Sequence, residues 1–153
     1  MSVCACSACN GALPAAHWYV VRWTLLVERL CSRTGVLARL AALCTTRNDN
    51  LRAHLMRAVV RCCRNPDNRA LFSSLGAAVK LIAFLRSLEV DVLKSTLLAL
   101  FVLSEEPVVC SQLLENRALP LLISLISSHD NIVQELAAAV VNNVRRSVQQ
   151  DLR

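Results

Sequence analysis

The chain has 153 residues, of which 55% are hydrophobic, 18% are charged and 4% are aromatic. This composition is too apolar for intrinsic disorder, and three glycines and four prolines are too few for an all-β protein with many turns. Because aromatic side chains are scarce, the core falls to Leu, Val and Ala, which suit close helix-on-helix packing. The composition therefore predicts an all-α protein.

The net charge of +6 is unevenly distributed along the chain. Residues 1–64 carry nine arginines and two acids, whereas residues 65–153 carry eight basic and nine acidic side chains. Such asymmetry favours an acidic partner surface or an anionic backbone as the binding partner of the first part.

The first 23 residues are predicted to form a tail or an irregular cap. Their first 21 positions lack charge, but polar residues, Gly11 and Pro14 interrupt them and no basic stretch precedes an apolar core. They match neither a secretory signal nor a membrane span, and no later apolar run approaches the roughly 20 residues that a bilayer requires. We therefore expect no transmembrane segment, a cytoplasmic location and reduced thiols for the eight cysteines.

From residue 24 onward the chain repeats itself with a period of 41 residues, which predicts repeats at 24–64, 65–105 and 106–146 and a tail at 147–153. Apolar positions, glycines and prolines coincide under this shift: Leu40, Leu81 and Leu122; Leu51, Val92 and Val133; Ala58, Ala99 and Val140; Gly35 and Gly76; Pro66 and Pro107. A fixed period of this length indicates stacked helical repeats.

Each repeat is predicted to contain three helices. In the second repeat a short helix begins at Asn65 and Pro66, Gly76 breaks the chain, and apolar spacing predicts further helices over 77–86 and 92–104. The third repeat has Arg117 where a glycine is expected, so we expect Asn116 to adopt the left-handed conformation there. Its last helix is predicted over 132–146.

These segments resemble armadillo repeats. The resemblance covers about 120 residues and rests on the following segments: 65–69 (NPDNR), 76–78 (GAA), 81–82 (LI), 118–120 (ALP), 122–126 (LISLI), 133–135 (VQE) and 143–144 (NV). It implies a right-handed α-solenoid of about three repeats with three helices each. Repeats of two helices lack the separate short first helix and fit less well.

Three further segments are similar to the last repeats of the armadillo-repeat subunit of the ciliary outer dynein arm docking complex: 103–106 (LSEE), 114–116 (LEN) and 137–146 (AAAVVNNVRR). Proteins of that family are much longer. The resemblance implies a location at the axoneme of motile cilia and docking-complex subunits as partners.

The armadillo resemblance also implies that the third helices line a concave groove in which a partner binds. In relatives that bind extended basic peptides, these helices carry Trp and Asn four residues apart. The corresponding pairs here are Arg57 and Arg61, Leu98 and Val102, and Ala139 and Asn143. This pattern disfavours basic peptides and predicts a non-catalytic scaffold for a segment with acidic and aliphatic residues.

Alternatives to this function remain open. The basic first repeat, with Arg47, Arg52, Arg57, Arg61 and Arg64, could bind nucleic acid or another anionic surface, although no aromatics interleave for base stacking. The apolar ends of a short stack could also drive end-to-end self-association.

Chemical sites are weakly indicated. Cys4, Cys6, Cys9 and His17 invite a zinc site or acylation, but their spacing fits no standard metal motif, and we expect a reduced tail without a cofactor. The other cysteines occupy core-facing repeat positions, where Cys is a small apolar residue. No nucleophile with a base or phosphate-binding loop is recognisable, so no enzyme is predicted.

Overall fold

The computed structural model describes residues 35–152, and the assignments made above for residues 1–23 and for Cys31 lie outside the described residues. The described part is an all-α solenoid, as predicted. Its eight α-helices are α1 (Val36–Leu43), α2 (Asp49–Cys62), α3 (Pro66–Ser74), α4 (Ala77–Ile82), α5 (Val90–Leu103), α6 (Pro107–Glu115), α7 (Leu119–Ile126) and α8 (Asn131–Asp151). A 3-10 segment, Ala83–Arg86, continues α4.

The helices form layers of three. Helices α3, α4 and α5 make one layer and α6, α7 and α8 make the next, while α1 and α2 are the second and third helices of the preceding layer. The third helices lie side by side, with α2 packed on α5 and α5 packed on α8. The first and second helices of adjacent layers pack on each other through α4 and α6.

Each third helix begins at a residue that recurs every 41 positions: Asn48, Glu89 and Asp130. Asn48 accepts a hydrogen bond from the backbone N–H of Leu51 at 3.1 Å, and Asp130 accepts one from Ile132 at 3.0 Å. These bonds satisfy N–H groups that a helix cannot satisfy internally. The repeat in the sequence is thus a repeat of helix starts.

A left-handed residue precedes the second helix of every layer. Gly35 and Gly76 have φ of 68° and 64°, and Arg117 has φ of 53°. The prediction for Asn116 is wrong, since this residue has φ of −89°. The N–H groups of Arg117 and Ala118 donate to the carbonyls of Leu114 and Leu113, a helix-ending motif that requires the left-handed residue at Arg117.

The last helix is longer than the sequence predicted. Helix α8 runs to Asp151, whereas residues 147–153 were expected to be a tail. Ser147 is buried, so the helix still packs against the protein beyond Arg146. The polar composition of this stretch reflects its exposed residues, and that composition hid the continuing helix.

The core is built from the sides of the third helices that face a neighbouring layer. Val59 and Leu100 occupy equivalent positions in α2 and α5, and both are fully buried. Thr96 is also fully buried in α5, and its hydroxyl has no hydrogen-bond partner within residues 35–152. A buried hydroxyl without a partner loses its hydration without compensation.

We therefore expect Thr96→Val to raise the free energy of unfolding by about 1 kcal/mol, because it replaces the uncompensated hydroxyl with a methyl group. Urea unfolding followed by circular dichroism measures this. Thr45→Val is the matched control, since Thr45 is exposed and its hydroxyl donates to the carbonyl of Ala42. An equal gain in both variants, or a loss at Thr96, would contradict the assignment.

The left-handed residues give a second prediction. Arg117→Gly should stabilise the protein by about 1 kcal/mol, since it removes the steric cost that a side chain carries at positive φ. Gly76→Ala should destabilise it by about as much, although an added Cβ would meet no atom within 4 Å. Asn116→Gly should bring no gain, and unfolding curves that rank these three variants differently would refute the turn.

Candidate interaction surface on the third helices

The exposed sides of α2, α5 and α8 form one continuous surface, here called the third-helix face. All six residues predicted to line the groove belong to it. Arg57 and Arg61 are exposed, Leu98 is 39% exposed, and the others, Val102, Ala139 and Asn143, are half-buried. The side chains are therefore accessible, and their role in binding stays a prediction.

A groove of about 200 Å³ crosses this face and takes side chains from all three helices. Its apolar lining consists of Val60 from α2, Leu98 from α5, and Ile132 and Leu136 from α8. Ile132 is 52% exposed. The sequence reasoning missed Ile132 and Leu136, although Ile132 stands out as a large apolar residue beside a helix start.

Two ion pairs join the layers at the rim of the groove. Arg57 contacts Asp91 at 3.2 Å, and Lys94 contacts Asp130 at 2.7 Å. The hydrogen bond from Lys94, together with those from the backbone, lowers the pKa of Asp130 below its usual value. The rim charges therefore neutralise one another in part, and Arg57 is a less available cation than the sequence suggested.

A polar pocket of about 190 Å³ lies near the far ends of α5 and α8. Asn143 donates from its amide nitrogen to Ser104 Oγ at 2.9 Å, and Arg146 and Gln150 line the opening. Glu105, also in the lining, contacts Arg69 at 2.8 Å. The amide of Asn143 is thus engaged with the neighbouring layer.

The arginines of the basic first repeat have different environments. Arg52 contacts Asp49 at 2.8 Å and stacks over the Phe84 ring at 4.7 Å, so it holds α2 against the next layer. Arg47, Arg61 and Arg64 are exposed and have no ion pair within residues 35–152. The positive surface available to an anionic partner is therefore smaller than the arginine count implied.

The buried thiols are poor nucleophiles. Burial raises the pKa of Cys44 to about 11 and also raises the pKa of Cys110. A protonated thiol neither attacks an electrophile nor binds a metal. The burial of Cys44, Cys62, Cys63 and Cys110 confirms their predicted core positions.

In the part of the chain that the structure describes, no three His, Cys, Asp or Glu side chains converge in a way that could hold a metal. The cysteines and histidine considered for zinc, Cys4, Cys6, Cys9 and His17, lie outside that part.

Between residues 35 and 152, none of the helices is by itself both long enough and apolar enough to cross a membrane. Two bent pairs meet that length and composition only in combination: Pro66–Ser74 with Ala77–Arg86, and Pro107–Glu115 with Leu119–Ile126.

Comparison with solved structures identifies the class of fold. A designed armadillo repeat protein for modular peptide recognition superposes with a TM-score of 0.71 at 19% identity over 80% of this chain and 54% of that chain. A designed armadillo repeat protein in complex with the peptide (KR)4 gives 0.72 at 16% identity over 90% and 64%. An engineered protein gives 0.72 at 19% identity over 78% and 49%.

The fold is therefore an armadillo-type repeat solenoid. The chain spans between about half and two thirds of the length of these three structures. No protein-family model matches the sequence, and no curated protein matches it.

The lowered pKa of Asp130 predicts how stability depends on pH. Asp130→Asn keeps a good N-cap but removes the charge that pairs with Lys94. Because the folded pKa lies below the unfolded one, the ion pair stabilises the protein above the usual aspartate pKa and stops doing so as the pH falls through the folded value. We expect the Asn variant to be less stable than wild type at pH 7 and equally stable near pH 2.

Urea unfolding at both pH values measures this difference. Lys94→Met should lower the stability at pH 7 as well, and the double variant should lose less than the two single variants together. A difference between wild type and Asp130→Asn that is unchanged at low pH would show that the carboxylate acts through capping alone.

Proposed function

We propose that this protein is a non-catalytic scaffold that binds a segment of a partner protein on its third-helix face. The observation that supports this is the groove to which all three layers contribute, with Leu98 and Ile132 exposed in it. Accessible apolar side chains between polar rims are typical of interaction surfaces. Each layer holds its side chains in fixed register, which lowers the ordering cost of binding.

The chemistry of the face favours a partner with acidic and aliphatic residues. The aliphatic groove suits an apolar anchor, and exposed Arg61 suits a carboxylate. The designed armadillo protein mentioned above was solved with the basic peptide (KR)4. This chain has arginines at Arg57 and Arg61, so it should repel such a peptide.

We further propose that the binding takes place in the docking of the outer dynein arm in motile cilia, with the protein in the cytoplasm and on the axoneme. The resemblance of residues 103–106, 114–116 and 137–146 to the docking-complex subunit supports this setting. Its partners would then be axonemal docking-complex subunits.

Co-sedimentation with axonemes tests both levels of this proposal. Axonemes stripped of outer arms and docking components by salt are incubated with the purified full chain. We expect wild type to bind and the double variant Arg61→Glu and Leu98→Glu to bind at least 10-fold more weakly, a loss of about 1.4 kcal/mol or more. Charge reversal and a buried carboxylate both act on the proposed contact.

The control variant carries Leu71→Glu and Arg86→Glu, which change similar residues away from the third-helix face. Leu71 is 42% exposed in α3, and Arg86 is exposed. Lys80 is unsuitable as a control because it donates to the carbonyl of Ala41. Equal losses in both double variants would contradict binding through this face, and absence of wild-type binding would contradict the axonemal setting.

A further inference from the structure

The third-helix face has a charged edge where its helices end. Arg61, Arg64 and Arg146 are exposed there and have no ion pair within residues 35–152. Glu105 lies at the same edge, but Arg69, only 13% exposed, contacts it at 2.8 Å and also contacts Glu106 at 2.8 Å. The acidic charge of this edge is thus held by Arg69, and a net positive edge remains.

The opposite edge, where the third helices begin, is close to neutral. Its carboxylates include Asp91 and Asp130, which are paired with Arg57 and Lys94. The face is therefore positive along one side, nearly compensated along the other, and aliphatic between them.

The floor between the edges is continuous across two layers. Leu98 and Val102 from α5 lie beside Ile132, Leu136 and Ala139 from α8, and none of these five side chains is fully buried. The spacings within each helix are three, four or seven residues, so these side chains form ridges with a groove between them. A partner helix packs into such a groove through its own ridges.

The polar groups of the face do not suit an extended chain. An extended segment needs partners for its N–H and C=O groups at regular intervals. The row that could supply them consists of Arg61, Val102 and Asn143, and the amide nitrogen of Asn143 already donates to Ser104 Oγ. A helix satisfies its own main chain and needs only side-chain contacts.

We infer that the partner segment is an amphipathic α-helix that lies across α2, α5 and α8. Its aliphatic residues, at i, i+3 or i+4, and i+7, fill the groove between Leu98 and Ile132. Asp or Glu residues along one flank face Arg61, Arg64 and Arg146. Three helices packed at 8–10 Å span about 20 Å, which corresponds to roughly 13 residues of partner helix.

This inference rests on the proposed scaffold function but not on the ciliary setting. Its test uses a phage-displayed library of random 16-residue peptides selected against the full chain. We expect the enriched sequences to share aliphatic residues at helical spacing with acids on one side. Enriched sequences with alternating apolar residues, or with basic flanks, would overturn the inference.

One enriched peptide is then synthesised and its affinity measured by fluorescence anisotropy at low and high salt. The variant Arg61→Glu and Arg146→Glu should weaken binding at least 10-fold at low salt and less at high salt, because exposed charges are screened. Replacing the acids of the peptide with Lys should restore affinity for this variant. A control with Arg39→Glu and Arg86→Glu, both exposed and away from the third-helix face, should bind like wild type.

The same measurements separate the two proposals. If an extended peptide is enriched and Leu98→Glu abolishes its binding, the scaffold function stands and the helical partner is wrong. If no enriched peptide depends on Leu98, both are wrong. A proline at the centre of a genuine helical ligand should reduce its affinity more than 10-fold, whereas an extended ligand should tolerate it.

Discussion

Packing between successive third helices is the constraint on which the rest of this structure depends. One side of each third helix must be buried against its neighbours, as Val59 and Leu100 are, because no single layer can bury its apolar surface alone. The other side then faces solvent in a fixed orientation. Helices α2, α5 and α8 therefore provide both the core and the candidate interaction surface, so a change that loosens the stack also disturbs the face.

Much of the fold follows from local signals in the sequence. The helix starts at Asn48, Asn65 and Asp130 and the turn at Gly76 depend on the chemistry of a few neighbouring residues. The turn at Arg117 could not be assigned to the correct residue, because its position depends on which carbonyls the helix end leaves to be satisfied. The end of α8 was missed for a similar reason, since tertiary packing decides it.

The candidate surface was predictable as a set of exposed positions but not as a set of contacts. Aligning positions 41 residues apart placed Arg57, Leu98 and Ala139 in one row. The contacts between layers instead join residues 34 apart, as in Arg57 and Asp91, or 39 apart, as in Ser104 and Asn143. Adjacent layers are offset, and this offset brings Ile132 and Leu136 into the groove. A sequence period gives equivalence between layers and leaves their relative orientation open.

The exposed end of the stack shows how a short solenoid limits the cost of its outer surface. The positions filled by buried Leu97, Leu100 and Ser104 in α5 are occupied in α8 by Ala138, Val141 and Arg145, and Ala138 and Arg145 are exposed. Smaller and charged side chains there lose little by contact with water. Self-association through that side of α8 is correspondingly less favoured, because little apolar area is gained. The larger accessible aliphatic area lies on the third-helix face, and the strongest attraction for a partner therefore lies there too.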